Sequence, residues 1–443
     1  MALTSLPILL YVIPAVMLLA ALTRPRRKAA VLGLGGLAYE YFSCGWIGLS
    51  LLILSVCGAW LTMRMMHSAS KKSRLRHDAA CGILWQCAVL ITARFAAQLS
   101  AADMLPLLGC AMLGTESVLL RARGKLHVPP LIAYLGGSCA MPHLWAGPVL
   151  EFPALRTITE QRSFSAERLG EGASRCIKGL FQIVLLSVPL QTLLSEIGSY
   201  AGTFSLFDAW LLLLIRYCMV YHWLRGALRL GEGLSLMLGY QLPETMQYTP
   251  GAASLREFWE RFCGSGAAWA KRILPIRGAP SAYDFLSLSL LFSAFSILLG
   301  CGHCGIVFGC CMGLLLTLGR LPALRKWLDE FPHFLQQTGT ALLVLLFCGT
   351  VFSRNTAELF TLLKALFGAN GTPLSNTVLY LCGTHILPLL LSILLLFPVF
   401  PALREQSAQK PAARRVAAVV QPIIQLGVLL CCMAELLSQY LRG

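Results

Sequence analysis

Charge is scarce in this sequence, and negative charge is scarcest. Among 443 residues there are 20 Asp and Glu against 36 Lys and Arg, so charged residues make up 13% of the chain, where soluble domains carry roughly a quarter. That shortage excludes an ordinary water-facing globular surface, and a mean hydropathy of +0.70 points the same way. No repeat of fixed period is visible, and no stretch is polar enough for a separate soluble domain. The 17 Cys give no disulfide framework. Most of them, such as Cys57, Cys87, Cys218 and Cys348, fall in apolar runs, where the residue behaves as a small hydrophobe. The first 22 residues lack a basic leader and a small-residue cleavage site, and are expected to form a retained membrane span.

Long apolar runs are what the sequence does have. Stretches near the roughly 20 residues that cross a bilayer recur at 3–22, 45–63, 79–99, 104–120, 179–197, 206–224, 283–299, 303–319, 334–352, 374–400 and 416–440. Ten to twelve crossings are expected. They should be helical, because runs of this length are unlike the alternating segments of a barrel. The positive excess does not indicate nucleic acid, since the basic residues cluster in short loops at 24–28, 71–76, 121–125, 256–277, 320–326 and 404–415. By the positive-inside pattern these loops are expected on the cytoplasmic side of the membrane, with both termini outside.

The chain reads as one membrane domain, 1–443. N-terminal spans reach to 125, a section at 126–281 holds re-entrant and amphipathic pieces, and a His-bearing core occupies 282–443. Pro129, Pro130, Pro142, Pro148 and Pro153, with Gly136, Gly137 and Gly147, interrupt the 129–153 run. Broken backbone at membrane depth needs protein cover or a water-filled cavity. This segment is therefore either re-entrant and cavity-lining or a pair of short helices kinked for packing.

Two local patterns carry chemistry. Ser254 to Phe262 is a charged amphipathic island: as a helix it sets Leu255, Phe258, Trp259 and Phe262 on one face, with Glu257 four residues before Arg261. Such a helix lies on a membrane or caps a bundle. His303 lies near the middle of the 283–319 apolar region, at an expected break between helices. A neutral imidazole there could serve as a general base, and ionisable residues at membrane depth are mostly functional; a structural histidine bonded to a carbonyl is the competing reading. Cys301-Gly-His-Cys304 spells a thiol-disulfide tetrapeptide but lacks the βαβ setting that chemistry uses, and its spacing is too tight for a zinc site. His143, after Pro142, could line the cavity. His67, His77, His127, His222 and His333 read as interfacial, and His385 as bonded to a helix carbonyl.

Taken in order, several segments resemble the membrane-bound O-acyltransferase family, in the bacterial branch of alginate O-acetylases and the D-alanyl transfer protein of teichoic acid synthesis. They are Leu105-Pro106-Leu107 with Arg123-Gly124-Lys125, His143 to Pro148, Phe164 to Leu169, Lys178 to Phe181, Leu238 to Glu244, Ser254 to Phe262, Gly300 to Gly305, Val351 to Arg354 and Leu359 to Gly371. The resemblance implies a ring of helices around a funnel whose tunnel joins the two faces, with the family's second histidine, inside that tunnel, at His303. The first histidine falls on Cys263. An acidic residue falls on Arg272, the Asp positions before and after Gly226 fall near Trp223 and Arg229, and Gly302 stands where a Trp usually precedes the histidine.

The function this implies is transfer of an acyl group, acetyl above all, from a cytoplasmic thioester to a hydroxyl of an exported or cell-surface glycan such as an exopolysaccharide. The donor would be acyl-CoA or an acyl carrier protein, with no resident cofactor and no metal. His303 would be the base, and Cys263 a possible substitute for the missing histidine. His143, Pro148, Phe258, Trp259, Arg261 and Lys271 would line the tunnel or face the donor. Expected partners are membrane lipid, the donor and the glycan or a separate extracellular transferase, and nucleic acid is not expected. The replaced residues leave a second expectation open, a non-catalytic partner or scaffold in a glycan-modifying or export complex. A third, a polyprenol-lipid or small-solute carrier, would need inverted repeats, which are not visible.

Overall fold

Backbone polar groups in lipid must be satisfied within their own segment, and the apolar runs of this chain meet that condition as helices. The computed structural model describes residues 7–23, 28–66, 72–146, 150–160, 165–198, 204–274, 276, 279–353, 356–368, 375–398 and 411–442, and no strand occurs among them. The architecture is that of an all-α polytopic membrane protein. In chain order the helices are α1 (Ile8–Leu22), α2 (Lys28–Met65), α3 (Lys72–Ile91), α4 (Ala101–Ala122), α5 (Leu131–Ser138), α6 (Met141–Ala146), α7 (Phe152–Glu160) and α8 (Ala166–Gly198). They continue as α9 (Leu206–Met237), α10 (Leu255–Phe262), α11 (Gly264–Ile273), α12 (Ala282–Leu298), α13 (Cys304–Leu318), α14 (Pro322–Asp329), α15 (His333–Phe352), α16 (Thr356–Leu366), α17 (Asn376–Thr384), α18 (Ile386–Leu396) and α19 (Pro411–Arg442).

Seven described helices are long and apolar enough to cross a membrane: α2, α3, α4, α8, α9, α15 and α19. The other apolar runs take different shapes. α13 with α14 and α17 with α18 are pairs bent by 82° and 79°, while α1 and α12 are apolar but shorter. The 129–153 segment forms the short helices α5 and α6, with α7 beginning at Phe152; Pro148 lies outside the described residues. Within α2, Gly45 adopts φ +64° and ψ −158°, which interrupts the helix. Starts of α9 and α12 are fixed by capping boxes, Ser205 with Asp208 and Ser281 with Asp284, each satisfying two amides that the helix cannot.

Helix association in lipid gains little from the hydrophobic effect and relies on close packing of small residues. The antiparallel pair α8 and α9 meets through glycines spaced seven apart on each helix. A Cβ at Gly226 would lie 2.8 Å from the Gly179 carbonyl oxygen, and one at Gly233 would lie 2.7 Å from that of Gly172. The α12–α13 hairpin uses the same device, with Gly305, Gly309 and Gly313 against Ser296, Ser293 and Ser289. Gly170, by contrast, has open space around its missing Cβ.

Replacing Gly233 by Leu is therefore expected to drive α8 and α9 apart and to destabilise the fold by about 1–3 kcal/mol or more. Gly170→Leu should leave it unchanged. Thermal unfolding of the two variants in detergent checks this, and equal melting temperatures would contradict the glycine contact.

Candidate functional site

Two regions stand at opposite ends of α4. At its C-terminal end, Gly124 takes φ +72° and turns the chain out of the helix, so that Arg123 and Lys125 project into open space. Nearby, α11 is pinned to α4 by the Trp269 indole N–H, which donates to the Met112 carbonyl at 2.9 Å. Between them lies a cavity of about 270 Å³ lined by Arg123, Lys125, Lys271, Arg272, Glu116 and Glu151 together with Leu119, Leu120 and Ile273.

Arg272 grips Glu116 with two donors, Nε on one carboxylate oxygen and Nη2 on the other at 3.0 Å, and lies 3.5 Å from Glu151. Glu116 is buried on α4, so this pair covers a carboxylate that would otherwise be stranded. Lys271 donates to Glu260 Oε1 at 2.7 Å. That bond, reinforced by Arg256, holds the Glu260 carboxyl below the usual carboxylate range. The contribution to stability is present at neutral pH and is lost as pH falls through that lowered value. Among the described residues Arg123 and Lys125 have no ion-pair partner, which leaves positive charge facing the cavity. A phosphate-bearing ligand is the natural complement of such a lining.

The amphipathic island folds as α10, capped by Ser254, whose side chain accepts from the Glu257 amide. Its aromatic face is turned inward. Phe258 is buried, and Trp259 packs 4.9 Å from Phe292 and 6.4 Å from Phe308, ring centre to ring centre, with Phe347 beyond at 5.7 Å from Phe308. Arg261 is occupied by Glu257 and the Tyr248 carbonyl. Of the residues expected to face the donor, Lys271 therefore lines the cavity, whereas Phe258, Trp259 and Arg261 hold α10 in place. Cys263 joins α10 to α11, and burial pushes its thiol above the ordinary value. A thiol so placed stays protonated near neutrality and makes a weak nucleophile.

At the other end of α4, the turn between α12 and α13 carries His303. Gly300 at φ +100° and Gly302 at φ +54° make this turn possible. His303 is the N-cap residue of α13, exposed on the protein surface and without a hydrogen-bond partner among the described residues. The break read from the sequence is present. The surroundings differ from a buried histidine because two glycines in left-handed conformation place the ring at a hairpin tip. Gly300 lies beside Arg94, whose Nη1 donates to the Leu99 carbonyl just before α4 begins. From there the 22 residues of α4 run about 33 Å to the Arg123 end, so His303 and the basic cavity lie near opposite faces. The Asp284–Arg320 bond at 2.7 Å closes the base of the same hairpin.

His143 sits on α6, which packs on α2, α4 and α9, and it is fully buried with neither ring nitrogen bonded. His222 on α9 is also buried, with Nε2 on the Ser392 carbonyl at 2.9 Å and Nδ1 unpartnered. The Glu116–Arg272 pair was not read from the sequence, because partners 156 positions apart leave no local trace. Among the described residues no three His, Cys, Asp or Glu side chains converge as metal ligands would.

These features define a polytopic helical membrane protein with a cationic cavity on one face. No family model matches the sequence. It is, however, similar to proteins named probable alginate O-acetylase AlgI. It is 28% identical to that of Pseudomonas aeruginosa over 196 residues, 43% of this chain and 37% of the relative. To that of Pseudomonas putida it is 26% identical over 196 residues, 43% and 40% of the two chains. To that of Azotobacter vinelandii it is 27% identical over 146 residues, 33% and 29%. The resemblance to membrane-bound O-acyltransferases read from the motifs is upheld on these matches, which span two fifths or less of the relatives' length.

Arg272→Ala should leave Glu116 buried and unpaired and lower stability by about 3–5 kcal/mol. Adding Glu116→Gln should recover much of that loss. Melting temperatures of the single and double variants decide it; a single variant as stable as wild type would show the pair to be dispensable.

Proposed function

We propose that this chain is a membrane O-acetyltransferase that moves an acetyl group from a thioester donor on its basic face to a glycan hydroxyl on the opposite face. The observation that carries the reading is the similarity to proteins named alginate O-acetylases. The cationic cavity supports it by offering a place for the phosphates of coenzyme A or of an acyl carrier protein. Under this reading the basic loops are cytoplasmic, the membrane is the bacterial inner membrane, and the acceptor is an exported or surface polysaccharide.

His303 is assigned as the general base. It takes the proton of the acceptor hydroxyl while that oxygen attacks the thioester carbonyl; the C–S bond breaks, and the proton passes to the departing thiolate. An exposed imidazole at the hairpin tip suits an acceptor arriving from outside. It also requires the thioester-bearing arm of the donor to extend from the basic face along α4 toward His303, in a conduit that excludes water and protects the thioester from hydrolysis.

A second reading, a non-catalytic partner in a glycan-modifying complex, is favoured by one set of observations. Among the described residues His303 has no orienting partner, and the thiol at Cys263, where the resemblance places a histidine, is kept protonated by burial.

His303→Ala should lower glycan acetyl ester by about 10²–10⁴-fold at unchanged membrane levels, measured by ester release from the polymer. His143→Ala is the comparator for a buried ring without a catalytic role. Unchanged ester in His303→Ala would remove His303 from the mechanism, and unchanged ester with lost complex assembly in Phe258→Ala and Trp259→Ala would favour the partner reading. Arg123→Gln with Lys125→Gln should raise the apparent KM for the donor several-fold with a smaller change in kcat.

A further inference from the structure

A second cationic group lies inside the helical body, on α9. Arg225 and Arg229 are one turn apart on α9, and Arg225 is only 4% exposed. Among the described residues Arg225 makes one hydrogen bond, from Nη1 to the Tyr221 hydroxyl, and its guanidinium carbon stands 4.0 Å from the ring centre of Tyr248. Arg229 also makes one, from Nη1 to Gln182 Oε1 at 3.1 Å, and Gln182 is itself buried on α8. A guanidinium has five N–H donors, so most of the capacity of both forks is unspent.

Among the described residues no carboxylate lies within 4 Å of either guanidinium. Glu232, nearest in sequence, stands 3.9 Å from Arg175 and attracts Arg229 from a longer distance. Two like charges one turn apart in a largely buried setting repel each other, and buried charge without a counter-ion is strongly disfavoured. Tyr248 reaches the site from the non-helical segment after α9, and its neighbour Thr249 bonds the Tyr217 hydroxyl at 2.5 Å. The chain thus folds back along α9 to wall the two arginines. From Arg229 to the end of α9 at Met237 is eight residues, about 12 Å, which sets the site beneath the basic face.

We infer that Arg225 and Arg229, with Gln182 and Tyr248, form an anion site that binds the phosphate of a phosphate ester. Two forked cations one turn apart match a group of up to two charges and three acceptor oxygens better than a single carboxylate. The phosphate could be that of a phosphopantetheine arm or that of an anionic phospholipid. The inference does not depend on acyl transfer, because it is read by binding alone.

The test uses full-length protein in nanodiscs. In phosphatidylcholine discs it is titrated with 4′-phosphopantetheine and with pantetheine, which lacks the phosphate; in discs containing phosphatidylglycerol, native mass spectrometry counts retained phosphatidylglycerol. Wild type is expected to bind 4′-phosphopantetheine over pantetheine, or to retain phosphatidylglycerol, and the first result assigns a soluble ester while the second assigns a lipid. Arg229→Gln and Arg225→Lys should each weaken whichever is bound by about tenfold or more, and Arg325→Gln, on the exposed face of α14, should not. Wild type that retains no phosphatidylglycerol and binds 4′-phosphopantetheine no better than pantetheine, or binding that loses nothing on Arg229→Gln, would overturn the inference. Should Arg225→Lys fail to fold, the less buried Arg229→Gln and the conservative Arg229→Lys, expected to bind with intermediate strength, still decide it.

Discussion

The backbone contact between α8 and α9 is the constraint on which most of the molecule's chemistry depends. Glycines 172 and 179 against 233 and 226 bring the two helices so close that their carbonyls touch the opposing chain. That approach sets Gln182 beside Arg229 and leaves room for Tyr248 to fold back over Arg225. Without it, polar side chains in the upper half of α9 would be left in lipid or unpaired, and either outcome is costly at membrane depth.

Charge in this protein is used sparingly and in a consistent way. Where the resemblance places acidic residues, this chain has Arg229 and Arg272, and the structure gives them different surroundings. Arg272 reaches a buried glutamate on α4 and becomes part of the architecture. Among the described residues Arg229 finds one hydrogen-bond acceptor, an amide oxygen. One replacement is compensated inside the chain, and the other is the arginine to which the inferred anion site assigns a ligand. The two cationic regions lie toward the same face, whereas His303 lies toward the other, so any transfer from one to the other must follow the length of a helix rather than cross a single pocket.

Much of the fold was legible in the sequence. Hydropathy runs located nearly every long helix, and prolines and glycines marked the break at 129–153, whereas the serine caps at Ser205, Ser254 and Ser281 became visible only in the structure. The run at 206–224 stopped too early because Arg225 and Arg229 lower its hydropathy; the helix continues to Met237 because ring stacking and a glutamine accommodate those side chains. The run at 374–400 looked like one crossing, yet α17 and α18 meet at His385 in a sharp bend that composition alone does not encode. The island at 254–262 was recognised as amphipathic, and of the two placements read for it, on a membrane or capping a bundle, its aromatic face takes the second, against rings of α12 and α13. At the candidate site, Lys271 and the Arg-Gly-Lys turn were readable, while the pairing of Arg272 with Glu116 needed the tertiary fold.

The central claim is that this chain itself carries acetyl groups across a membrane. Its most direct test is purified protein in sealed proteoliposomes, oriented with the basic face outward, given radiolabelled acetyl-CoA outside and an acceptor polysaccharide trapped inside. The account predicts labelled ester on the enclosed polymer at a rate proportional to the protein. Label that remains outside while the protein is folded and correctly oriented would contradict it.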